Sequence, residues 1–435
     1  MLIDKITERN ATVAVIGAGY VGHPLACLFS RAGFRTIAFE IQKERLERIR
    51  RGDVDWSDYT PNMGCFTATD DERLLNDTDI FIITVQTPLR EDRTPDLSQV
   101  EGASRLIKRH LGRDKMVVLE STTYPGTTEE VLKPILEESG LKAGVDFYLA
   151  FSPERIDPGS KDRCVENIPK VVGGLTKKCT ETASALYSSV ICKVVPVSSP
   201  RTAEATKLLE NVYRNVNIAL VNELVPIFNR MGIDTWEVIH AASTKPFGFM
   251  PHYPGPGVGG HCIPKDPLYL AYAARKVGMP TEFIELAACK HDRVPSNIVR
   301  HTERGLSGKM KTVNGAEIGV LGVTFKKNVP DLRNTPAKTI IEELQKLGAK
   351  VTVFDPLVKE TFGASAADME QAVKGKDCIL LLVDHDHFRE KGVEKLVSKL
   401  SPGCVLIDTR NFIQRELLGP EITYSCIGRP STLSA

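Results

Sequence analysis

The chain has no CxxC pair and no close cluster of cysteine with histidine, although it carries ten cysteines. The usual spacings of a zinc site are missing, and no metal is expected. No run of about 18 apolar residues occurs, which predicts that nothing spans a membrane. The opening MLIDKITERN has early acids and no apolar stretch, so no secretory leader is read there, and the thiols are expected to stay reduced in a cytoplasm. An excess of charge of one sign is also missing. The 56 basic and 55 acidic residues leave a net +1, which gives no global field to gather nucleic acid or an anionic membrane, and neither is expected as a partner. Repeats with a period of about 20 to 50 residues and low-complexity tracts are absent. What is present is an ordinary globular composition, 42% hydrophobic and 26% charged over 435 residues, enough for two or three domains of roughly 150 residues each. Anionic ligands must then be held by local sites.

Thr12–Ile16 (TVAVI) is a short apolar run that ends at Gly17-Ala18-Gly19-Tyr20-Val21-Gly22 and is followed by the helix-like PLACLFSRAG. Strand, glycine turn and helix in that order form the dinucleotide fingerprint. The first glycine permits the tight turn, the second lets backbone approach a pyrophosphate, and the third lets helix and strand pack. Free N–H groups at the helix start favour the pyrophosphate there. The next strand, Arg35–Phe39, ends at Glu40, eighteen residues after Gly22. An acid at that point can bond both ribose hydroxyls and repels a 2′-phosphate, so NAD is expected rather than NADP.

Ile80–Val85 and Met116–Glu120 read as buried parallel strands. Each ends in a hydroxyl-bearing turn, Gln86-Thr87-Pro88 after one and Ser121-Thr122-Thr123-Tyr124-Pro125-Gly126 after the other. Ligands of open parallel sheets bind at the carboxyl ends of strands, so these turns should line the cofactor site; helix capping is the competing explanation for their hydroxyls. Phe147–Phe151 runs into Ser152-Pro153-Glu154-Arg155, where Glu154 is either an acid/base or a solvated loop acid. Lys170–Gly173 and Cys192–Val197 add two strands.

The pattern then changes. From Ser199 to Met231 it predicts one long helix, with Leu208, Leu209, Val212, Val216, Ala219, Leu220 and Val225 as its apolar face, Gly232 as its C-cap and Pro226 kinking its last turns. Glu204, Lys207 and Asn211 fall at i, i+3 and i+7 and share a stripe. That stripe is either a solvated surface or a place where Lys207 and Asn211 orient an oxygen of a substrate. Helical pattern continues over Asp234–Ser243, Pro267–Val277 and Thr281–Arg304, and long helices of this kind commonly pair across a dimer. Between them lies Tyr253–Asp266, YPGPGVGGHCIPKD. It is too rich in glycine and proline for a helix or a central strand, hence a loop whose backbone comes close to something. Its single cysteine, Cys262, is a candidate nucleophile; a connector with an incidental buried thiol fits the stretch equally well.

Glu317–Val323 restarts the α/β pattern, followed by the turn TFKKNVPDLRNTP, a helix Ala337–Leu347 and a strand Lys350–Phe354 that ends at Asp355. Cys378–Val383 and Val405–Ile407 are further strands. Gly319 and Gly322 do not form GxGxxG, so a second NAD site is not expected. Lys326, Lys327 and Arg333 crowd the turn instead, which suits phosphates or is simply a basic loop. The whole reads as an α/β protein in which two Rossmann-like doubly wound domains are joined by a central helical domain with one long helix.

With GAGYVG, TPLREDRTPDLS, ESTTYPGTT, FSPERIDPG, AEATKLLEN, GPGVGGHCIPKD and FKKNVPDLR in this order, the chain resembles the nucleotide-sugar dehydrogenases, the UDP-glucose and GDP-mannose dehydrogenase family, over nearly its whole length. Lys245–Phe249 (KPFGF) and the loop after it look most like the branch that oxidises UDP-N-acetylglucosamine, with the UDP-N-acetylmannosamine enzymes as close neighbours. The resemblance implies residues 1–198 as an NAD-binding domain, 199–304 as a central helical domain with the cysteine loop, and 305–435 as a UDP-sugar-binding domain. It implies a four-electron oxidation of a sugar C6 alcohol to a carboxylate with two NAD, in a cytoplasmic enzyme of polysaccharide biosynthesis that forms a homodimer or higher homo-oligomer.

Residue by residue, Cys262 matches the family's nucleophile, which traps the aldehyde as a thiohemiacetal. Lys207 and Asn211 match the residues that hold the reacting oxygen. Asp266, with Thr122 and Glu154, matches the group that positions and activates water. On the cofactor side the matches are Gly17, Gly19, Tyr20, Val21, Gly22, Glu40, Arg45, Thr87, Ser121 and Thr122, with Lys265 and Arg333 near the cofactor phosphates and nicotinamide. On the sugar-nucleotide side they are Glu154, Arg155, Lys207, Asn211, Tyr253, Gly257, Gly259, Phe325, Lys326 and Arg410, and the loop glycines are expected to let backbone close over the sugar. A thiolate attacks an aldehyde better than a thiol does, and His261, Lys265 and Lys207 are the cations read as available to favour it. Two positions depart from the pattern: Glu40 stands where the family more often has aspartate, and Lys245-Pro246-Phe247 stands where UDP-glucose dehydrogenases have an arginine. Two other classes fit parts of the sequence. A nucleotide-sugar-binding regulatory protein needs no nucleophile, and a two-electron hydroxy-acid dehydrogenase has no use for the C-terminal domain.

Overall fold

The computed structural model describes residues 1–53, 59–156 and 164–430, so the end of the FSPERIDPG motif lies outside the described residues. The chain forms two compact units, Met1–Glu210 with Leu268–Pro280, and Asn211–Pro267 with Thr281–Ala435. The long helix Pro200–Arg230 passes from the first unit to the second at Asn211, and the helix Asp266–Lys276 passes back after Pro267.

The first unit is built on eight strands: β1 (Thr12–Ile16), β2 (Arg35–Phe39), β3 (Phe66–Thr69), β4 (Ile80–Ile83), β5 (Met116–Leu119), β6 (Tyr148–Phe151), β7 (Lys170–Gly174) and β8 (Val194–Val197). Their order is β3-β2-β1-β4-β5-β6-β7-β8, parallel throughout except that β7 runs antiparallel to β6. Central strands covered by helices on both faces are apolar at every position, because successive side chains point to opposite sides. Val13, Val15, Ile80, Ile82, Met116 and Val118 accordingly enter one core, and Ala14, Ile16, Phe81, Ile83, Val117 and Leu119 enter the other. The order reverses between β1 and β4, the crevice where open α/β sheets bind nucleotides.

The second unit carries β9 (Glu317–Leu321), β10 (Lys350–Phe354), β11 (Ser365–Ala366), β12 (Cys378–Leu381), β13 (Val405–Asp408) and β14 (Thr423–Cys426). They are parallel, in the order β11-β10-β9-β12-β13-β14. Ile318, Val320, Cys378 and Leu380 face one core, which the helix Glu282–Ser307 also enters through Ile298, Val299 and Leu306. Leu321, Ile379 and Leu381 face the other. Gly319 lies on that second face because a Cβ there would come within 1.9 Å of the Ala372 carbonyl oxygen.

Several expectations shift. Strands read as running to Val85, Glu120, Val323 and Val383 end at Ile83, Leu119, Leu321 and Leu381, because their last residues leave the ladder to form turns. Phe66–Thr69 and Thr423–Cys426 have no long apolar run and are invisible to a hydrophobicity pattern. The apolar face of the long helix is two faces: Leu208, Val212, Ala219 and Val225 are buried, while Leu209 and Leu220 are 66% and 52% exposed. Adjacent helical positions differ by about 100° around the axis, so Leu208 and Leu209 cannot share one face. The helix runs on through Pro226 to Arg230. None of the ten cysteines is in a disulfide, and no helix among the described residues is long and apolar enough to cross a membrane.

Candidate active site

In the first unit the glycine turn is built as the spacing requires. Gly17 has φ +96°, a conformation that favours glycine, and a Cβ on Gly22 would stand 2.1 Å from the Gly17 carbonyl oxygen. Helix Gly22–Arg31 can therefore meet β1 only through a glycine. Nothing but the Arg45 guanidinium, at 3.6 Å, would meet a Cβ on Gly19, which leaves that backbone open to a pyrophosphate. Thr84, which the sequence did not single out, holds the turn by donating its hydroxyl to the Gly17 carbonyl at 2.8 Å. Glu40 is buried at the end of β2, accepts the Gln42 N–H at 2.9 Å and pairs with Arg45 at 3.2 Å. Unused acceptor positions on its oxygens remain for ribose hydroxyls. These features fit a dinucleotide.

The two strand-end turns are tied to each other. Thr87 donates to the Thr122 carbonyl at 2.8 Å and Ser121 to the Val85 carbonyl at 2.7 Å, so their hydroxyls cross-link turns instead of capping helices. Tyr269 donates to the Thr87 carbonyl from the helix Asp266–Lys276. Glu154 follows β6 and is buried, its Oε1 accepting the N–H groups of Arg155 and Ile156 at 2.6 and 2.7 Å. Arg155, assigned to substrate on the resemblance, gives its guanidinium to Glu210 and, at 2.6 Å, to the Pro169 carbonyl.

The Glu204, Lys207 and Asn211 stripe is buried, which removes the solvated-surface explanation. Its members do different things. Glu204 accepts from Gly126 N–H, Thr128 N–H and the Thr128 hydroxyl at 2.6–2.9 Å and so fixes the turn after β5. Lys207 is largely buried and makes no hydrogen bond or ion pair among the described residues.

In the second unit, Asn211 donates to the buried carboxylate of Asp266. One turn on, Asn215 donates to the Ile263 carbonyl at 3.2 Å, and further along Asn222 accepts the Gly255 N–H at 3.2 Å. Three asparagines on one helix thus hold the cysteine loop at three points. Asn215 and Asn222 were missed, although asparagines at i, i+4 and i+11 on a buried face were a signal in the sequence. The Cys262 carbonyl accepts the N–H groups of Lys265 and Asp266 at 3.0 and 2.9 Å, so the half-buried thiol sits where the helix Asp266–Lys276 begins. A helix start favours a thiolate.

His261 does not add a cation. Burial, then Lys265 and Arg333, lower its pKa to about 4, and the neutral ring faces the Lys265 ammonium at 2.8 Å. The expected positive charge therefore rests on Lys265, whose own pKa burial also lowers. The loop glycines also have a use within the protein. A Cβ on Gly259 would lie 2.7 Å from Phe325 Cβ, one on Gly257 3.0 Å from Pro336, and one on Gly255 2.8 Å from the Arg410 guanidinium. Gly260 donates to the Arg333 carbonyl and accepts from Asn334 at 2.8 and 2.9 Å. Their missing side chains let the loop pack against the turn after β9, with Phe325 and Arg333, and against Arg410 after β13. Tyr253 stacks on Trp236, whose ring N–H is held by the Ile427 carbonyl. Trp236 was not anticipated.

Two doubly wound sheets, a glycine turn open to a pyrophosphate and a thiol at a helix start define a dinucleotide-dependent oxidoreductase with a second nucleotide domain. Residues 11–191, 201–291 and 319–415 match the NAD binding, central and UDP binding domains of the UDP-glucose/GDP-mannose dehydrogenase family. The chain belongs to that family, whose members are NAD-dependent oxidoreductases of nucleotide sugars. It is 38% identical to a UDP-N-acetyl-D-glucosamine 6-dehydrogenase of Pseudomonas aeruginosa, over 94% of this chain and 98% of the relative. It is 37% identical to an enzyme of the same name from Salmonella typhi, over 93% and 97%. Among solved structures it is similar to a UDP-D-ManNAc dehydrogenase from Pyrococcus horikoshii, with TM-score 0.87, 32% identity and coverage of 96% of this chain and 99% of that one.

Proposed function

We propose that this chain oxidises the C6 alcohol of UDP-N-acetylglucosamine to the carboxylate in two NAD-dependent steps joined by a covalent bond between C6 and the Cys262 sulfur. The observation that carries the reading is the anchoring of the cysteine loop by Asn211, Asn215 and Asn222. It fixes a thiol and a buried carboxylate four residues apart at a helix start. Identity of 38% and 37% to UDP-N-acetyl-D-glucosamine 6-dehydrogenases supports that sugar; the likeness to a UDP-D-ManNAc dehydrogenase makes UDP-N-acetylmannosamine the second reading.

The Gly17–Gly22 turn with Glu40, Arg45, Thr87, Ser121 and Thr122 would hold NAD, which when bound accepts the hydride in each oxidation. Lys207 and Asn211, a turn apart on one helix, would stabilise the oxygen on which charge develops; a preorganised donor of this kind contributes about 10²–10³ in rate. The Cys262 thiolate adds to the aldehyde carbon, the thiohemiacetal loses a hydride to become a thioester, and water releases the carboxylate and the thiol. Asp266 and Glu154 would take protons in the deprotonation and hydrolysis steps. Phe325, Lys326 and Arg410 would hold the sugar nucleotide. Residues 1–198 then serve NAD, 199–304 supply the helical middle with the cysteine loop, and 305–435 serve the UDP-sugar. The experiment is a count of NADH formed per UDP-sugar consumed across a panel of UDP-sugars. Two are expected, with UDP-N-acetylglucosamine used best; one per sugar would exclude the four-electron course.

The reading includes a homodimer or higher homo-oligomer. Leu209, Tyr213, Leu220 and Ile227 form an exposed apolar stripe at i, i+4, i+11 and i+18 on the long helix, a face that a second copy can cover. Light scattering should give at least twice the chain mass, and a monomer mass would count against it.

A further inference from the structure

Beneath Glu154 lies a charged group that the proposed reaction does not use. Lys170, in β7, is buried to the tip of its side chain and donates to Glu120 Oε2 at 2.9 Å and to the Pro153 carbonyl at 3.4 Å, with the Tyr187 ring 5.1 Å from its ammonium. Glu120, at the end of β5, has its other oxygen bonded by the Tyr187 hydroxyl from the helix Lys177–Ser188. The ammonium also lies 3.5 Å from Glu154 Oε2. That oxygen is buried and makes no hydrogen bond among the described residues, while its partner Oε1 takes two backbone N–H groups.

Two carboxylates and one ammonium buried together are costly to assemble, and removing one partner leaves charge uncompensated. A hydrophobic trio would fill the space without that cost, so the arrangement calls for a use. Burial opposes the charge on Lys170, yet Glu120 and Glu154 outweigh it and raise its pKa, so it is a fixed cation. Burial, then Glu154, push Glu120 upward against the pull of Lys170. Among the described residues the other titratable groups near Glu154 are Tyr59, which also interacts with Cys164 and Glu166, Tyr187, whose phenol feels the Glu154 charge, and Arg155, whose guanidinium is turned to Glu210. Among the described residues, Lys170 is thus the cation in contact with Glu154 Oε2.

We propose that Lys170 is a positioning residue shared between Glu120 and Glu154: it directs Glu154 Oε2 and favours that carboxylate as a proton acceptor, while Glu120 and Tyr187 keep the ammonium in place. The inference rests on the reading of Glu154 as a residue that activates water. In that step the proton leaving water goes to Glu154 Oε2, and the neighbouring ammonium keeps its own.

The test is the pH profile of kcat at saturating NAD and UDP-N-acetylglucosamine for the wild type, Lys170→Met, Lys170→Arg, Glu120→Gln and Glu154→Gln. Lys170→Met removes a cation beside the base, so the acid limb should move to higher pH. Lys170→Arg should restore the limb. Glu120→Gln keeps the shape and an acceptor for Tyr187 but removes the competing negative charge, so the limb should move to lower pH. Opposite shifts are not what a merely structural defect produces. Limbs that stay in place, or shift the same way in both variants, would overturn the inference. If Lys170→Met does not fold, Glu120→Gln alone decides. Glu154→Gln separates the two levels: full activity with an unchanged limb sinks the reading of Glu154, whereas lost activity beside unmoved limbs in the other variants sinks only the role of Lys170.

Discussion

The two doubly wound sheets place an acid at the same topological point and use it in opposite ways. In the first, β1 passes through five residues, Gly17 to Val21, into its helix, and Glu40 at the end of β2 keeps acceptor positions unused beyond Gln42 and Arg45. In the second, the helix Pro336–Lys346 starts only after a turn spanning residues 322–335. Asp355 at the end of β10 is consumed by protein: Oδ2 accepts Val323 N–H at 2.7 Å and His385 Nε2 at 3.2 Å, and Oδ1 accepts Leu357 N–H at 2.8 Å. His385 Nδ1 in turn accepts the Asn328 N–H at 3.0 Å, so the ring carries its proton on Nε2. One sheet leaves its acid with acceptor positions unused and its glycine turn open. The other spends its acid on holding a long turn that carries Phe325, Lys326 and Arg333. Topology alone does not say which ligand a Rossmann-like domain takes; the residues its turns carry do.

The largest effect should come from Cys262→Ser, which breaks the proposed chemistry while leaving both nucleotide domains intact. Carboxylate formation is expected to fall by on the order of 10³-fold or more, with NAD affinity within about twofold of wild type by calorimetry. Wild-type turnover would remove the covalent course. Next comes Gly22→Ala, which acts on the first sheet alone. Its Cβ would stand 2.1 Å from backbone at Gly17, so the turn must open and the pyrophosphate cradle is lost. NAD affinity should weaken by about 10–100-fold, or about 1.4–2.8 kcal/mol, with UDP affinity of the same preparation unchanged. Equal loss of both would mean that the glycine serves folding only.

Legibility from sequence followed the same division. Gly17, Gly22 and Glu40 were readable because local backbone geometry dictates them at short spacing, and the central strands of both sheets were readable because burial on two faces makes them continuous apolar runs. Asn211 was found as a position, but its partner Asp266 is 55 residues away, a link no local pattern contains. The same holds for Trp236 under Tyr253, for Lys170 between Glu120 and Glu154, and for the loop glycines. Those glycines announce close approach without saying to what, and the answer, Phe325 and Pro336, lies in another domain of the sequence. His261 was read as a cation because its type allows it; burial beside Lys265 and Arg333 decides otherwise.

Asp355→Asn tests the second half of the comparison and should have the smallest effect of the three. Burial raises the carboxyl, but His385 and the N–H groups of Val323 and Leu357 outweigh it, and its pKa ends below the ordinary aspartate value. A depressed carboxylate contributes stability above its unfolded pKa and loses it as pH falls through the folded one. The variant should therefore be less stable than wild type at pH 7, by about 1–3 kcal/mol as charge-assisted bonds are weakened. The gap should begin to close as pH falls below about 4, the unfolded value for aspartate. Because the start of the turn, with Phe325 and Lys326, is what Asp355 and His385 hold, the KM for the UDP-sugar should rise several-fold while the KM for NAD stays put. Thermal melts from pH 7 down to pH 3 and the two KM values check this together. A variant that lost stability with both KM values unchanged would make Asp355 a structural tie without a hand in presenting the turn.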